Sequence, residues 1–284
     1  MKSMKITKIA TQIINLPFES TITTAIHKMS SVGCVLLTIE TDEGIEGNAF
    51  LSRPKHSAPG LIEFLKPIVV GRNPQDIGAL WWELWKMNRV ASLAAIGAID
   101  VCLWDINGKV AGLPIHRLLG TCKEKVPVYS STAYHEKVEN YAEEAVRFKE
   151  MGWSAHKIHP HGDPMSDIEI SKVVREAVGS DMKLMLDSMW SYQYEDALRV
   201  GREIENLNFY WYEDPLVEED IYNYVKLHQK LDIPIMSTEY APGRYYGMTQ
   251  WITRYATDIL REMWQSRVES LHWSAYATWR RDLT

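Results

Sequence analysis

The chain has 284 residues, 46% hydrophobic and 24% charged, which is typical of a globular protein with a sizeable core. Its net charge of −6 and the lack of any basic run argue against nucleic acid or an anionic membrane as partners. No apolar run approaches the roughly 20 residues that span a bilayer, and the first residues do not form a signal peptide. The cysteines Cys34, Cys102 and Cys122 are scattered, as is usual in a reducing compartment. A cytoplasmic location is therefore expected.

The first third of the chain predicts a compact α+β domain, which we place at residues 1–125. Two strands with alternating apolar residues are expected at 5–16 and 32–40, and a Gly-containing turn leads into a short return strand. Helical periodicity follows at 58–70, 76–90 and 91–110.

From residue 126 onward, strands alternate with helices. The predicted strands are 126–130, 155–159, 184–187, 209–213 and 233–239. Alternating units of this length indicate an α/β fold with a parallel sheet covered by helices. Polar residues fall at the strand ends, where a (β/α) barrel places its chemistry. The alternative is an open doubly wound sheet, which is disfavoured because no Gly-rich phosphate turn follows the first strand.

Three acids, Asp187, Glu213 and Glu239, each end an apolar strand of this region. One strand–helix unit separates each acid from the next, so all three are expected to meet at the mouth of the barrel. Carboxylates crowded in this way bind a cation or have raised pKa values. Hard oxygen ligands favour Mg²⁺. The alternative is that each acid is a solvated loop residue.

The second strand of this region ends with two candidate bases. Lys157 and His159 lie two residues apart, so both side chains should point into the barrel. A nearby cation should lower the pKa of Lys157 and suit it to proton transfer, and the imidazole of His159 is a second candidate. The alternatives are a surface histidine loop or a Zn²⁺ site of His156, His159 and His161. Strand alternation disfavours zinc, because it splits those three residues between faces.

Two further segments resemble the mandelate racemase/muconate lactonising branch of the enolase superfamily. One is the signature helix at residues 95–109, which continues to Gly120 and has Cys102 where alanine is usual. The other is the turn at residues 38–47. With the three acids, the resemblance covers about residues 4–260. It implies an N-terminal α+β capping domain followed by a (β/α)-barrel domain at residues 126–261 that is incomplete in this chain.

The resemblance also implies a mechanism. A small carboxylate substrate would chelate Mg²⁺, which stabilises the enediolate formed when the α-proton leaves. The family's usual Lys-x-Lys is here Lys157-Ile-His159, so His159 would replace the proton-abstracting lysine and Lys157 would be its electrostatic neighbour. His27 lies in the loop that closes over substrate in the family, and it is either a substrate-binding or a solvated residue.

Residues 262–284 do not continue the family pattern. Read one nucleotide out of frame from the last base of the Arg261 codon, they can encode a stretch that resembles the family's sixth strand and the Gly-Gly turn after it. We therefore expect a frameshift, with a natural divergent tail as the alternative, and the nucleotide sequence decides between them. The restored aspartate would belong to the family's His–Asp pair, whose histidine lies on a seventh strand that we expect to be missing.

These features predict an acid-sugar dehydratase as the full-length parent. The restored sixth-strand aspartate favours the mandelate racemase subgroup, in which dehydratases are common. A racemase, an epimerase or a cycloisomerase is the alternative within the family, since the restored strand also contains a lysine. An inactive truncated fragment with a residual metal site is the alternative of another class. The parent enzyme is expected to be a homo-oligomer.

Overall fold

A computed structural model describes residues 3–23, 28–51, 56–131, 134–241 and 244–261. The predicted substrate residue His27 and the tail at 262–284 lie outside these described residues. The chain divides into two compact units, the first containing most residues up to Lys125 and the second most residues from Val126. Among the described residues, no helix is both long enough and apolar enough to cross a membrane.

The first unit combines a three-stranded sheet with helices. The strands are β1 (Ile6–Thr23), β2 (Lys28–Thr41) and β3 (Glu46–Leu51), in that order across the sheet. Strands β2 and β3 are antiparallel, with Val35 opposite Leu51 and Glu40 opposite Glu46. The helices are α1 (Ala58–Val69), α2 (Ile77–Lys86), α3 (Leu93–Ala111) and α4 (Ile115–Leu118), with a 3₁₀ turn at Met87–Arg89.

Helix α3 forms the centre of this unit because its small residues let strand β3 approach it closely. The Ser92 side chain accepts a hydrogen bond from the Ala95 N–H and caps the start of α3, and Gly112, at φ 62°, ends the helix in the left-handed region. A Cβ atom on Gly47 of β3 would lie 2.1 Å from the carbonyl oxygen of Cys102. The strand and the helix can therefore pack together only if residue 47 has no side chain.

The second unit is a parallel sheet whose strands alternate with helices. The strands are β4 (Ser130–Ser131), β5 (Ala155–Ile158), β6 (Lys183–Asp187), β7 (Trp211–Glu213), β8 (Ile235–Ser237) and β9 (Ile259–Leu260), and their order in the sheet follows the chain. The helices are α5 (Val138–Glu150), α6 (Pro164–Val178), α7 (Tyr194–Asn206), α8 (Ile221–His228) and α9 (Arg244–Thr253). This arrangement confirms the predicted fold class, an α+β N-terminal unit followed by a (β/α)-barrel unit.

Several strands differ in length from the prediction, among them β7 and β8, which are shorter than the predicted 209–213 and 233–239. The two strands at the edges of this sheet also differ in position. Strand β4 is shorter than the predicted 126–130, since only Ser130 and Ser131 pair with β5, while Val126 and Val128 are 72% and 67% exposed. The sixth strand was expected after residue 261, but β9 ends at Leu260. It pairs with β8, and the Asp258 N–H donates to the Ile235 carbonyl at 2.9 Å just before it. Pairing, not residue preference, defines both of these short strands.

Candidate active site

The three strand-end acids lie on neighbouring strands of the second unit. Asp187 ends β6 and Glu213 ends β7, and the two residues are paired across the ladder. Glu239 follows two residues after the end of β8. Asp187 and Glu213 are buried, and the Glu239 side chain is 15% exposed. The parallel register therefore places three carboxylates at the same edge of the sheet.

Lys157 of β5 is a buried cation between two of these acids. Its Nζ lies 2.9 Å from Asp187 Oδ2 and 2.9 Å from Glu213 Oε1. Burial works to lower the pKa of Lys157, but the charges of Asp187 and Glu213 outweigh it and raise that pKa. The predicted lowering depends on a bound cation and stays a prediction; in the chain alone, the anionic neighbours dominate.

His159 contacts the same carboxylate oxygen as Lys157. Its Nε2 is 3.1 Å from Asp187 Oδ2, and the Tyr141 hydroxyl donates to the His159 carbonyl at 3.0 Å. Burial would raise the pKa of Asp187, but the hydrogen bond from His159 and the charge of Lys157 lower it below its usual range. In contrast, burial and the Asp187 charge raise the pKa of Glu213. The site therefore holds Asp187 as a carboxylate that both candidate bases share.

Arg261 is a member of this site that the sequence prediction missed. Its Nη1 lies 2.7 Å from Glu239 Oε2 and 3.5 Å from Asp187 Oδ2, and it also bonds Glu213 Oε1. The guanidinium thus touches one oxygen of each predicted metal ligand. Its position directly after β9 is the signal that could have revealed it, since the three acids follow the same rule.

Asp214 is a second residue that was missed. Carboxylate oxygens of Asp187, Glu213 and Asp214 lie within 4.8 Å of one another, which makes them the group of described residues able to hold a metal ion; Glu239 is outside this group. One oxygen of Asp214 is buried without a hydrogen-bond partner in the described chain. Burial, followed by the charges of Glu218 and Asp187, raises the pKa of Asp214 well above its usual value. An all-oxygen donor set of this kind fits Mg²⁺.

The backbone around Glu239 is fixed by the buried carboxylate of Glu218. The N–H groups of Thr238 and Tyr240 each donate to a different oxygen of Glu218, both at 2.7 Å. Because these two residues flank Glu239, one side chain holds both sides of that acid. No strand-end pattern marks Glu218, which lies in the loop after β7, so the sequence prediction did not include it.

Strained backbone accompanies all three acids. Among the described residues, six that are not glycine have a positive φ, and four of these flank the acids: Met189 (49°), Trp190 (65°), Asp214 (44°) and Thr238 (91°). A β-branched residue such as Thr238 is a marked outlier in this region. Strain of this kind persists where surrounding contacts hold it and is concentrated at active sites.

The alternative zinc site is not assembled in the structure. His156 is buried, with its Nδ1 2.8 Å from Ser130 Oγ. His161 uses Nδ1 toward Ser166 Oγ and Nε2 toward the His135 carbonyl, both at 2.7 Å. Together with the contact of His159 to Asp187, these bonds direct the three imidazoles to three different places. The group of described residues able to hold a metal contains no histidine.

Acid stability should depend on His156. Burial, with smaller repulsion from His135 and His159, lowers the pKa of His156 from 6.5 to about 4. The unfolded chain therefore binds a proton that the folded chain does not, so stability is complete above pH 6.5 and falls as the pH drops toward 4. The loss should reach about 3 kcal/mol. The free energy of unfolding is measured by urea denaturation at pH 7, 5.5 and 4. The His156→Asn variant should not show this loss of stability at low pH, whereas His116→Asn, a change at an exposed histidine, should show it. If the unsubstituted chain and both variants lose the same stability between pH 7 and 4, His156 is not the cause of the acid sensitivity.

Comparison with known proteins agrees with this architecture. The family profile described as the mandelate racemase/muconate lactonizing enzyme N-terminal domain matches residues 7–120, and the enolase C-terminal domain-like profile matches residues 140–262. The chain is 29% identical to D-galactarolactone cycloisomerase of Agrobacterium fabrum over 91% of its own length. It is 30% identical to arabinonate dehydratase of Saccharolobus solfataricus over 74% of its length. It spans 71% and 59% of these two relatives, respectively.

A solved structure gives the same picture. D-glucarate dehydratase of Agrobacterium tumefaciens, complexed with magnesium, superposes with a TM-score of 0.88 at 29% identity, over 98% of this chain and 80% of that one. A strand-end carboxylate site in a parallel (β/α) unit, preceded by an α+β domain, defines the enolase type of enzyme. The chain belongs to the mandelate racemase/muconate lactonizing enzyme family of the enolase superfamily. The relatives found include dehydratases, cycloisomerases and a racemase.

Proposed function

We propose that the full-length parent of this chain is a Mg²⁺-dependent acid-sugar dehydratase. It would remove the proton α to the carboxylate of an aldonic or aldaric acid, break the C–O bond at the β-carbon and release water. The resulting enol would rearrange to a 2-keto-3-deoxy acid. The observation that carries this proposal is the meeting of Asp187, Glu213 and Glu239 around one cationic nitrogen, with Lys157 and His159 on the same Asp187 oxygen.

We assign the metal to Asp187, Glu213 and Glu239. The Arg261 Nη1 atom supports this set, since it marks a point at which a cation touches all three carboxylates. Asp214 is the competing ligand by proximity, but the ion pairs of Arg261 in the described chain are with Asp187, Glu213 and Glu239. A bound Mg²⁺ would supply Lewis-acid stabilisation of the charge that develops on the substrate carboxylate.

His159 is assigned as the base and Lys157 as its electrostatic partner. Asp187 orients the imidazole ring through Nε2 and would stabilise the imidazolium formed when His159 takes the α-proton. Lys157, buried beside two carboxylates, would offset their negative charge so that an anionic substrate can approach. His27 stays a predicted substrate residue.

The identity of the substrate rests on relatives. Arabinonate dehydratase and L-talarate/galactarate dehydratase point to sugar acids, and D-galactarolactone cycloisomerase supports ring isomerisation as a second candidate. The predicted cytoplasmic location and homo-oligomeric parent remain predictions. The inactive-fragment alternative predicts metal binding without turnover, so the two properties are best measured separately.

Saturating Mg²⁺ should raise the thermal midpoint of the full chain by about 5 °C, because ligand at about 100 times its Kd adds roughly 2.7 kcal/mol of stability. Asp187→Asn should abolish this shift, because it removes a charged ligand, whereas Asp181→Asn, an exposed acid near the start of β6, should retain it. Differential scanning fluorimetry in EDTA and in Mg²⁺ measures both. No shift in the unsubstituted chain would refute the metal site.

Turnover is measured by incubating the same chain with a panel of aldonic and aldaric acids and Mg²⁺, with a semicarbazide assay for 2-keto acid. Formation of a 2-keto acid would identify the dehydratase and would contradict the expectation that the histidine of the family's His–Asp pair is missing. Exchange of the α-hydrogen in D₂O without keto-acid formation would identify a racemase instead. Consumption of a sugar lactone would identify a cycloisomerase. A Mg²⁺ shift with none of these reactions would favour the inactive-fragment alternative.

A further inference from the structure

The backbone of Arg261 is held firmly in place. Its N–H donates to the Ser237 carbonyl at 2.8 Å, and its own carbonyl accepts a bond from the Thr238 hydroxyl at 2.9 Å. These bonds attach residue 261 to the end of strand β8, next to Glu239. The position of the guanidinium is therefore limited to what the side chain can reach from a fixed Cα atom.

From that position, one guanidinium nitrogen of Arg261 contacts three carboxylates. Nη1 lies 2.7 Å from Glu239 Oε2 and 3.5 Å from Asp187 Oδ2, and it bonds Glu213 Oε1. Burial works to lower the pKa of Arg261, but the charges of Glu213, Glu239 and Asp187 outweigh it and raise that pKa. The guanidinium therefore stays charged at the centre of the acids.

A divalent ion bound by the same three carboxylates would need the oxygens that Nη1 now holds. We propose that Arg261 is an internal cation that competes with Mg²⁺ for Asp187, Glu213 and Glu239, so that its side chain must withdraw before the metal binds. This inference rests on the proposed function, because it takes these acids to be the metal ligands.

Electrostatic repulsion supports withdrawal over coexistence. A Mg²⁺ ion bound to these carboxylates while Arg261 stays would place two cations within a few ångströms, a strong repulsion in a partly buried site. Exchanging Arg261 for Mg²⁺ avoids this repulsion and is therefore the less costly route for bringing a metal into the site.

Exposure indicates which of the two resident cations leaves. The Lys157 side chain is 3% exposed, whereas the Arg261 side chain is 22% exposed. Arginine has a long flexible stem that can carry its charge into water. Arg261 is therefore the exchangeable cation, and Lys157 is the permanent one.

The test is isothermal titration of Mg²⁺ into the full chain after removal of metals with EDTA. Arg261→Gln should bind Mg²⁺ at least about tenfold more tightly than the unsubstituted chain, since the competing charge is gone. Arg261→Lys should bind about threefold more tightly, because an ammonium on a shorter stem spans fewer of the carboxylates. Arg254→Gln, the same change at an exposed position seven residues earlier, should change affinity less than twofold.

The thermal stability of the metal-free proteins is an independent test of competition between Arg261 and Mg²⁺. In EDTA, Arg261→Gln should unfold at a lower temperature than the unsubstituted chain, and Mg²⁺ should raise its midpoint by the larger amount. If this variant does not fold without metal, Arg261→Lys decides the matter by its Mg²⁺ affinity.

The outcomes separate the two proposals. Mg²⁺ binding by the unsubstituted chain, with equal or weaker binding by both Arg261 variants, would overturn competition and leave the metal site standing. Binding by Arg261→Gln alone would support competition in its strongest form. If none of the proteins binds Mg²⁺, the metal assignment fails, and competition fails with it.

Discussion

Replacing Lys157 by methionine should lower the free energy of unfolding by about 3–5 kcal/mol in EDTA. The ammonium is 3% exposed and lies 2.9 Å from one oxygen each of Asp187 and Glu213. Methionine preserves the length and the apolar stem of lysine but removes the charge, so two buried carboxylates lose a partner that water cannot replace. Urea denaturation at pH 7, followed by circular dichroism, measures the loss.

A surface pair with the same separation is the matched control for Lys157. Lys172 Nζ is 2.9 Å from Glu203 Oε2, but the two side chains are 54% and 40% exposed. Lys172→Met should therefore cost no more than about 0.5 kcal/mol. Saturating Mg²⁺ should return part of the Lys157→Met loss, because the ion supplies positive charge to the same acids. Similar losses of unfolding free energy in Lys157→Met and Lys172→Met would show that burial of Lys157 does not determine how much it stabilises the fold.

Replacing Gly47 by alanine should destabilise the first unit by about 3 kcal/mol or more. The new Cβ would lie 2.1 Å from the Cys102 carbonyl oxygen and 2.8 Å from its carbon. Both atoms belong to the backbone of helix α3, so no side-chain rotation can relieve the overlap. Strand β3 and the helix must separate, which opens the core around Cys102.

Gly60→Ala is the comparison for Gly47→Ala. Gly60 lies in α1, and a Cβ there has no atom within 4 Å among the described residues. Alanine should stabilise this helix by up to about 1 kcal/mol, because it has the higher helix propensity. In both thermal and urea unfolding, the midpoint should therefore fall for Gly47→Ala and rise for Gly60→Ala. Equal midpoints would rule out the close approach of β3 to α3.

The fold could be predicted because its main signals are periodic. Alternating residues define β2, and the apolar strands that precede Asp187 and Glu213 are separated by regular helices. The limits of β4 and β9 could not be predicted in the same way. Each contains two residues, and what makes them strands is a neighbour that only the folded sheet provides. The exposure of Val126 shows that β-branched composition alone is not enough.

Part of the candidate site followed from the same regularity. A parallel sheet brings strand ends together, so the neighbouring positions of Asp187 and Glu213 could be read from the chain. The cation at their centre could not, because arginine is not a metal ligand and only the folded side chain shows that Arg261 reaches all three acids. Asp214 was not predicted because strand alternation assigns it to the face opposite Glu213. Its positive φ breaks this alternation. The metal and catalytic roles of these residues remain predictions.

The clamp that Glu218 forms on the backbone has a consequence for redesign of the site. The backbone on both sides of Glu239 is held by hydrogen bonds from the N–H groups of Thr238 and Tyr240 to Glu218, and these bonds do not involve the Glu239 side chain. A different ligand can therefore be installed at position 239 without moving the strand end that presents it. Glu239→His would test whether the site can be converted from preferring magnesium to preferring zinc or manganese, with the rest of the scaffold unchanged.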